Sequence, residues 1–129
     1  MKKSAIAMIC ALVIGGSVAP IGRAAPAPTV GTYQGTDESG PALMHIRGAP
    51  PQYKVDIQTG TTGCGGGVAG AAALDSKGRL VLSARDGEMS CRVIMTPKAG
   101  GWNLQEGEGC GAYHGDMCGF TGAVKRVGK

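Results

Sequence analysis

The chain has 129 residues, with 13 Lys and Arg against 9 Asp and Glu, 24 glycines and five cysteines. Residues 1–24 read as an export signal; they hold Lys2, Lys3 and Arg23 and no acid, so 10 basic and 9 acidic side chains remain on the other 105 residues. One domain is the natural count, which excludes a large multidomain enzyme, and the near balance of charge excludes a polybasic nucleic-acid binder.

The N-terminal reading rests on three features. Lys2 and Lys3 form a positive start, Ala5–Ile14 is an apolar run of ten residues, and Gly22-Arg23-Ala24 places small residues at the two positions a signal peptidase reads. Ten residues are too few to span a bilayer, which takes about 20, so cleavage after Ala24 is favoured over a retained anchor. Cys10 follows the bulky Ile9 within the apolar run and reads as a small hydrophobe, not a lipidation site. Residues 25–29 (APAPT) read as a loose Pro/Ala leader, and 30–129 as the single domain. The compartment implied is the bacterial periplasm or the medium, with no stable membrane span once the signal is gone.

The remainder is a series of short runs separated by turn residues. Val30–Thr36 ends in Asp37-Glu38-Ser39-Gly40-Pro41. Ala42–Arg47 ends at Gly48 and the Pro50-Pro51 pair. Tyr53–Thr59 alternates Tyr53, Val55 and Ile57 with Lys54, Asp56 and Gln58, the period of a half-buried strand. Gly67–Leu74 is ambiguous by composition. Arg79–Ala84, Cys91–Thr96 and Trp102–Glu106 again suit strands, and Phe120–Val127 closes the chain. No stretch offers a capped amphipathic helix of ten residues. The expectation is all-β: a small antiparallel barrel or sandwich of seven or eight short strands.

Cys64, Cys91, Cys110 and Cys118 form an even set in an oxidising compartment, read as two disulfides. Three connectivities are open. Sequential pairing, Cys64–Cys91 and Cys110–Cys118, is favoured, because Cys64 borders one strand and Cys91 opens another. Spacings of 26, 18 and 7 residues lack the paired knuckle of a zinc site, so no metal and no cofactor are assigned.

Gly65-Gly66-Gly67-Val68-Ala69-Gly70 matches the dinucleotide fingerprint in letters. The fingerprint works by holding pyrophosphate at a helix N-terminus, and a helix here would run only from Val68 to Leu74. No further βα units follow. A glycine-rich, tightly packed strand beside Cys64 is the better reading.

The chemistry-bearing residues concentrate in Cys110–Cys118. Glycines at 111, 115 and 119 let this loop turn, and it would present Tyr113, His114 and Asp116 to a partner. A structural staple sealing one end of a barrel is the alternative. Catalysis is not expected: no serine stands in a nucleophile-elbow context, and although Glu106 and Glu108 are of the type that works on glycosidic bonds, a core this small leaves little room for a cleft. Copper binding through Met89, Met95, Met117 and His114 is a lesser alternative to plain packing.

Several elements together (Gly31-Thr32-Tyr33, Cys64 leading a small-residue strand, Cys91 opening an apolar one, and Cys110-x4-Gly115-x2-Cys118-x-Phe120-x-Gly122) resemble a loose group of small exported bacterial two-disulfide β-domains, some of them similar to periplasmic lysozyme inhibitors. The resemblance implies a compact antiparallel barrel with sequential disulfides. It carries over no inhibitory residue. The functional expectation is a non-catalytic exported binding protein, an inhibitor of lysozyme-type hydrolases, acting on an exported hydrolase or an envelope protein. A structural or envelope-associated domain without an enzyme target is the alternative.

Overall fold

A computed structural model describes residues 28–61, 64–115 and 118–128; the stretch read as signal, most of that read as leader, Asp116 and Met117 lie outside the described residues. Eight antiparallel strands follow one another in chain order and close into a barrel: β1 (Gly31–Asp37), β2 (Gly40–Ala49), β3 (Gln52–Thr61), β4 (Cys64–Leu74), β5 (Leu80–Asp86), β6 (Met89–Lys98), β7 (Gly101–Glu106) and β8 (Gly122–Arg126). β8 returns to β1, with Tyr33 opposite Arg126 and Asp37 opposite Gly122. Closure removes every sheet edge. Among the described residues no helix is long and apolar enough to cross a membrane.

Alternation builds the core. Met44 and Ile46 of β2, Tyr53, Val55 and Ile57 of β3, Leu80 and Leu82 of β5, and Val93 and Met95 of β6 point inward and are fully buried. An eight-stranded barrel is just wide enough for such side chains to fill. The ambiguous Gly67–Leu74 stretch is a strand, β4, with Val68 and Ala72 inside and Gly65, Gly67, Ala69, Ala71 and Ala73 outside. The Gly65–Gly70 motif is therefore extended backbone, with no helix behind it to hold a phosphate.

Two disulfides are present, but not the sequential pair. Cys64 bonds Cys118, with Cα atoms 5.7 Å apart, and Cys91 bonds Cys110, at 4.3 Å. The expected Cys64–Cys91 bond fails because β5 lies between β4 and β6. Two strand spacings amount to about 9.5 Å, beyond the roughly 7 Å a disulfide bridges. Cys110 and Cys118 instead reach to opposite sides, each fastening the segment between β7 and β8 to a different strand. Bonds of this kind suit an oxidising compartment.

Because consecutive strands run in opposite directions, the connections alternate between two ends. The β1–β2, β3–β4, β5–β6 and β7–β8 connections share one end; the β2–β3, β4–β5 and β6–β7 turns share the other with both chain termini of the barrel. The first end is closed by residues 107–121. The second is a rim of short turns, among them Asp75–Arg79, where the Asp75 carboxylate accepts from the backbone N–H groups of Lys77 (2.9 Å) and Arg79 (2.8 Å) and pairs with the Arg79 guanidinium at 2.6 Å.

Candidate functional site

The closed end is assembled by residues 107–115 and 118–121, which follow β7 from Glu106 and cover the barrel mouth. The Gly107 N–H donates to the Arg92 carbonyl at 2.6 Å. Gly109, at φ 87°, turns the chain into a 3-10 turn, Cys110–Tyr113, where an L side chain would be strained. The Cys91–Cys110 bond holds this turn against β6. Beyond it, His114 bridges to Gly66 of β4, just ahead of the Cys64–Cys118 bond. A Cβ on Gly66 would stand 2.6 Å from the His114 Cβ and 2.7 Å from the Tyr113 carbonyl. The glycine therefore serves close approach of two backbones, not phosphate binding.

Phe120 is the plug. It is fully buried in the core cluster, and the His114 ring meets it edge to face at 5.2 Å between centroids. The polar shell around it is satisfied from both sides. Ser39 Oγ donates to the Gly119 carbonyl at 2.9 Å and accepts from the Gly119 N–H at 2.8 Å. The Glu38 N–H donates to the Thr121 carbonyl, and Thr121 Oγ1 accepts from the Glu106 N–H, both at 3.0 Å.

His114 was expected at an outward loop tip; it points inward. Its side chain is only 7% exposed. Nε2 sits 2.7 Å from Glu106 Oε1, and Nδ1 sits 2.7 Å from the Gly115 carbonyl. The same Glu106 oxygen accepts from the Phe120 N–H at 3.1 Å. His114 and Glu106 thus form a latch that ties the plug to the end of β7. Glu106 was legible as a carboxylate two residues from Glu108, but nothing local marked it as the partner of His114.

Tyr113 is half-buried, packed against the core cluster, and its hydroxyl donates to the Met89 carbonyl at 3.2 Å. Met89 itself is 46% exposed. The accessible part of this end is therefore the outer edge of Tyr113 with Met89, Gly111 and Ala112, flanked by exposed Glu88 and Glu108. Asp116, the third residue expected here, lies outside the described residues. Two of the methionines considered for copper are held apart: Met95 is sealed inside the barrel, while Met89 is exposed six residues earlier on β6, about 20 Å away; Met117 lies outside the described residues.

Beneath the latch, Asp37 closes β1. Its Oδ1 accepts from the Ser39 N–H at 2.8 Å and from the Thr59 hydroxyl. Oδ2 is buried and, among the described residues, has no partner. Burial pushes the Asp37 carboxyl above its ordinary range, with Glu38 and Glu106 adding to the rise and the two hydrogen bonds opposing it.

The charges are sorted between the ends. Among the described residues, the turns of the closed end and the strand residues against them carry Asp37, Glu38, Asp86, Glu88, Glu106 and Glu108 with two cations, Arg85 and Arg92. Among the described residues at the rim turns, Lys77, Arg79, Lys98, Lys125 and Arg126 stand with one carboxylate, Asp75. Residues 25–129, nearly neutral in sum, are strongly polar along the barrel axis. No family model, curated protein or solved structure matches the chain.

Proposed function

We propose that this chain is a non-catalytic binding protein, exported to the periplasm or the medium, whose closed acidic end docks on a basic hydrolase of the lysozyme type and obstructs its cleft. The observation that carries this reading is the concentration of six carboxylates at the doubly tethered end. Residues 25–129 are nearly neutral in sum, but steering depends on the surface presented, not on the sum. Two disulfides and the His114–Glu106 latch hold the docking face in one geometry, so little ordering entropy is lost on binding. Tyr113 and Met89 supply an aromatic and apolar contact ringed by Glu88 and Glu108, the composition of a small hot spot. The non-catalytic role is supported by the use of His114: both ring nitrogens are committed to bonds within the cap.

The test is a cell-wall lysis assay with a strongly basic and a near-neutral lysozyme, at low and high salt. Inhibition is expected against the basic enzyme and is expected to weaken as salt rises. Glu88→Lys with Glu108→Lys should weaken it about tenfold or more, and so should Tyr113→Ala, the charge variants leaving the thermal midpoint unchanged. Failure to inhibit either enzyme, or inhibition indifferent to the charge reversal, would overturn the proposal.

A further inference from the structure

The opposite end of the barrel carries its own signature. Of the four large apolar side chains that stand exposed among the described residues, three sit on the rim: Val30 (44%), Leu74 (36%) and Val127 (45%). They lie immediately before β1, at the end of β4 and just after β8. Around them stand the cations. Lys77, Lys125 and Arg126 are exposed and Lys98 is half-buried. The two carboxylates on this half of the barrel are already engaged, Asp75 with Arg79 and Asp56 with Arg47. Among the described residues no carboxylate pairs with Lys77, Lys98, Lys125 or Arg126.

Apolar tips set among basic side chains are the arrangement that suits a bilayer interface, where hydrocarbon enters below the headgroups and the ammonium and guanidinium groups remain at the phosphates. A soluble polyanion would reward the cations but leave the three apolar tips without a role. One further feature favours a membrane. The six carboxylates lie at the far end, so a negative surface attracts one end and repels the other, orienting the barrel upright.

We propose that the Lys98–Lys125–Arg126 rim, with Val30, Leu74 and Val127, is a docking surface for an anionic phospholipid bilayer. The closed end then faces away from the membrane, where the partner proposed above would meet it. The rim makes no use of that partner, so either proposal can fail alone.

The experiment uses the exported form of the chain, with its N-terminus read by mass spectrometry. It is mixed with vesicles of phosphatidylglycerol and phosphatidylcholine in equal parts, and with pure phosphatidylcholine vesicles, at low salt. Binding is read by cosedimentation and by quenching of Trp102, the one tryptophan, by brominated acyl chains; Trp102 lines the rim cleft with Lys98 and Arg126. The expected result is binding to the anionic vesicles and not to the neutral ones. Lys98→Glu with Lys125→Glu should weaken it about tenfold or more, Val30→Ser with Val127→Ser should reduce the quenching, and Glu88→Lys with Glu108→Lys should leave it no weaker. No binding to anionic vesicles, or binding unmoved by the rim reversal in a variant with an unchanged thermal midpoint, would overturn the proposal. So would binding to heparin equal to that to vesicles, without quenching of Trp102 and without sensitivity to the valine changes, which would mark a polyanion site instead.

Discussion

The two ends of this barrel solve the same problem by different means. Each must cover the open mouth of an eight-stranded cylinder. At the rim, short turns suffice: Asp75 folds its own hairpin by accepting two backbone N–H groups and the Arg79 side chain, and Tyr33 and Tyr53 fill the interior beneath. The closed end needs a separate segment, laid across the mouth and fastened by two disulfides, a buried serine and the His114–Glu106 hydrogen bond. The rim holds itself locally, whereas the cap depends on residues far apart in the chain, as in the 80-residue separation of Ser39 and Gly119. Changes at the cap should therefore cost stability, and changes at the rim should cost little but binding.

The largest effect should follow from cutting the two tethers. The bonds close loops of 54 and 19 residues, for which loop entropy alone gives about 4 and about 3 kcal/mol. Replacing Cys64 and Cys118 by serine is expected to lower the thermal midpoint more than replacing Cys91 and Cys110. Equal effects would show that the cap is held by its side chains and that the tethers add little.

A smaller effect should separate the two neighbours in the cap. His114→Ala breaks the latch and leaves Glu106 half-buried without its imidazole partner, for a loss of about 2 kcal/mol in chemical denaturation. Tyr113→Ala loses one exposed hydrogen bond and part of its packing, and should cost about half as much. A reversed order would mean that Tyr113, not His114, secures the plug.

The smallest effect, and the one that contrasts the ends most directly, lies in pH. The Asp37 carboxyl is raised from 3.8, chiefly by burial. The folded state therefore holds its proton more tightly, and stability falls as pH rises from 3.8 through the raised value. At the rim, desolvation is the largest single influence on Asp75 and raises it, but the Arg79 and Lys77 hydrogen bonds and the Arg79 charge together outweigh it, so its carboxyl lies below 3.8. Its stabilisation is present above 3.8 and is lost as pH falls through the lowered value. Denaturation profiles below neutrality should lose their downward slope in Asp37→Asn and their acid-side loss in Asp75→Ala. Identical profiles for both variants would remove the electrostatic distinction between the ends.

The strands were legible because inward and outward positions alternate residue by residue, a pattern that Tyr53–Thr59, Arg79–Ala84 and Cys91–Thr96 display without reference to anything distant. β4 was harder, since Gly65–Gly70 has no side chains large enough to announce a face. The number and presence of the disulfides also followed from cysteine count and the export reading. Their pairing did not, because it depends on β5 standing between Cys64 and Cys91. The inward turn of His114 depends on Gly66 of β4 and Glu106 of β7, residues that no local spacing connects to it.

Charge polarity belongs to the same class. Composition settled the glycine-rich, helix-poor chain and, with residues 1–24 set aside, the near-neutral sum. Only the closed meander decided that Asp37, Glu88 and Glu106 share one end while Lys77, Lys98 and Arg126 share the other, because antiparallel order sends alternate connections to opposite ends of the barrel. Local periodicity chooses between strand and helix; which residues meet is a property of strand order, and strand order is fixed only when the whole sheet closes.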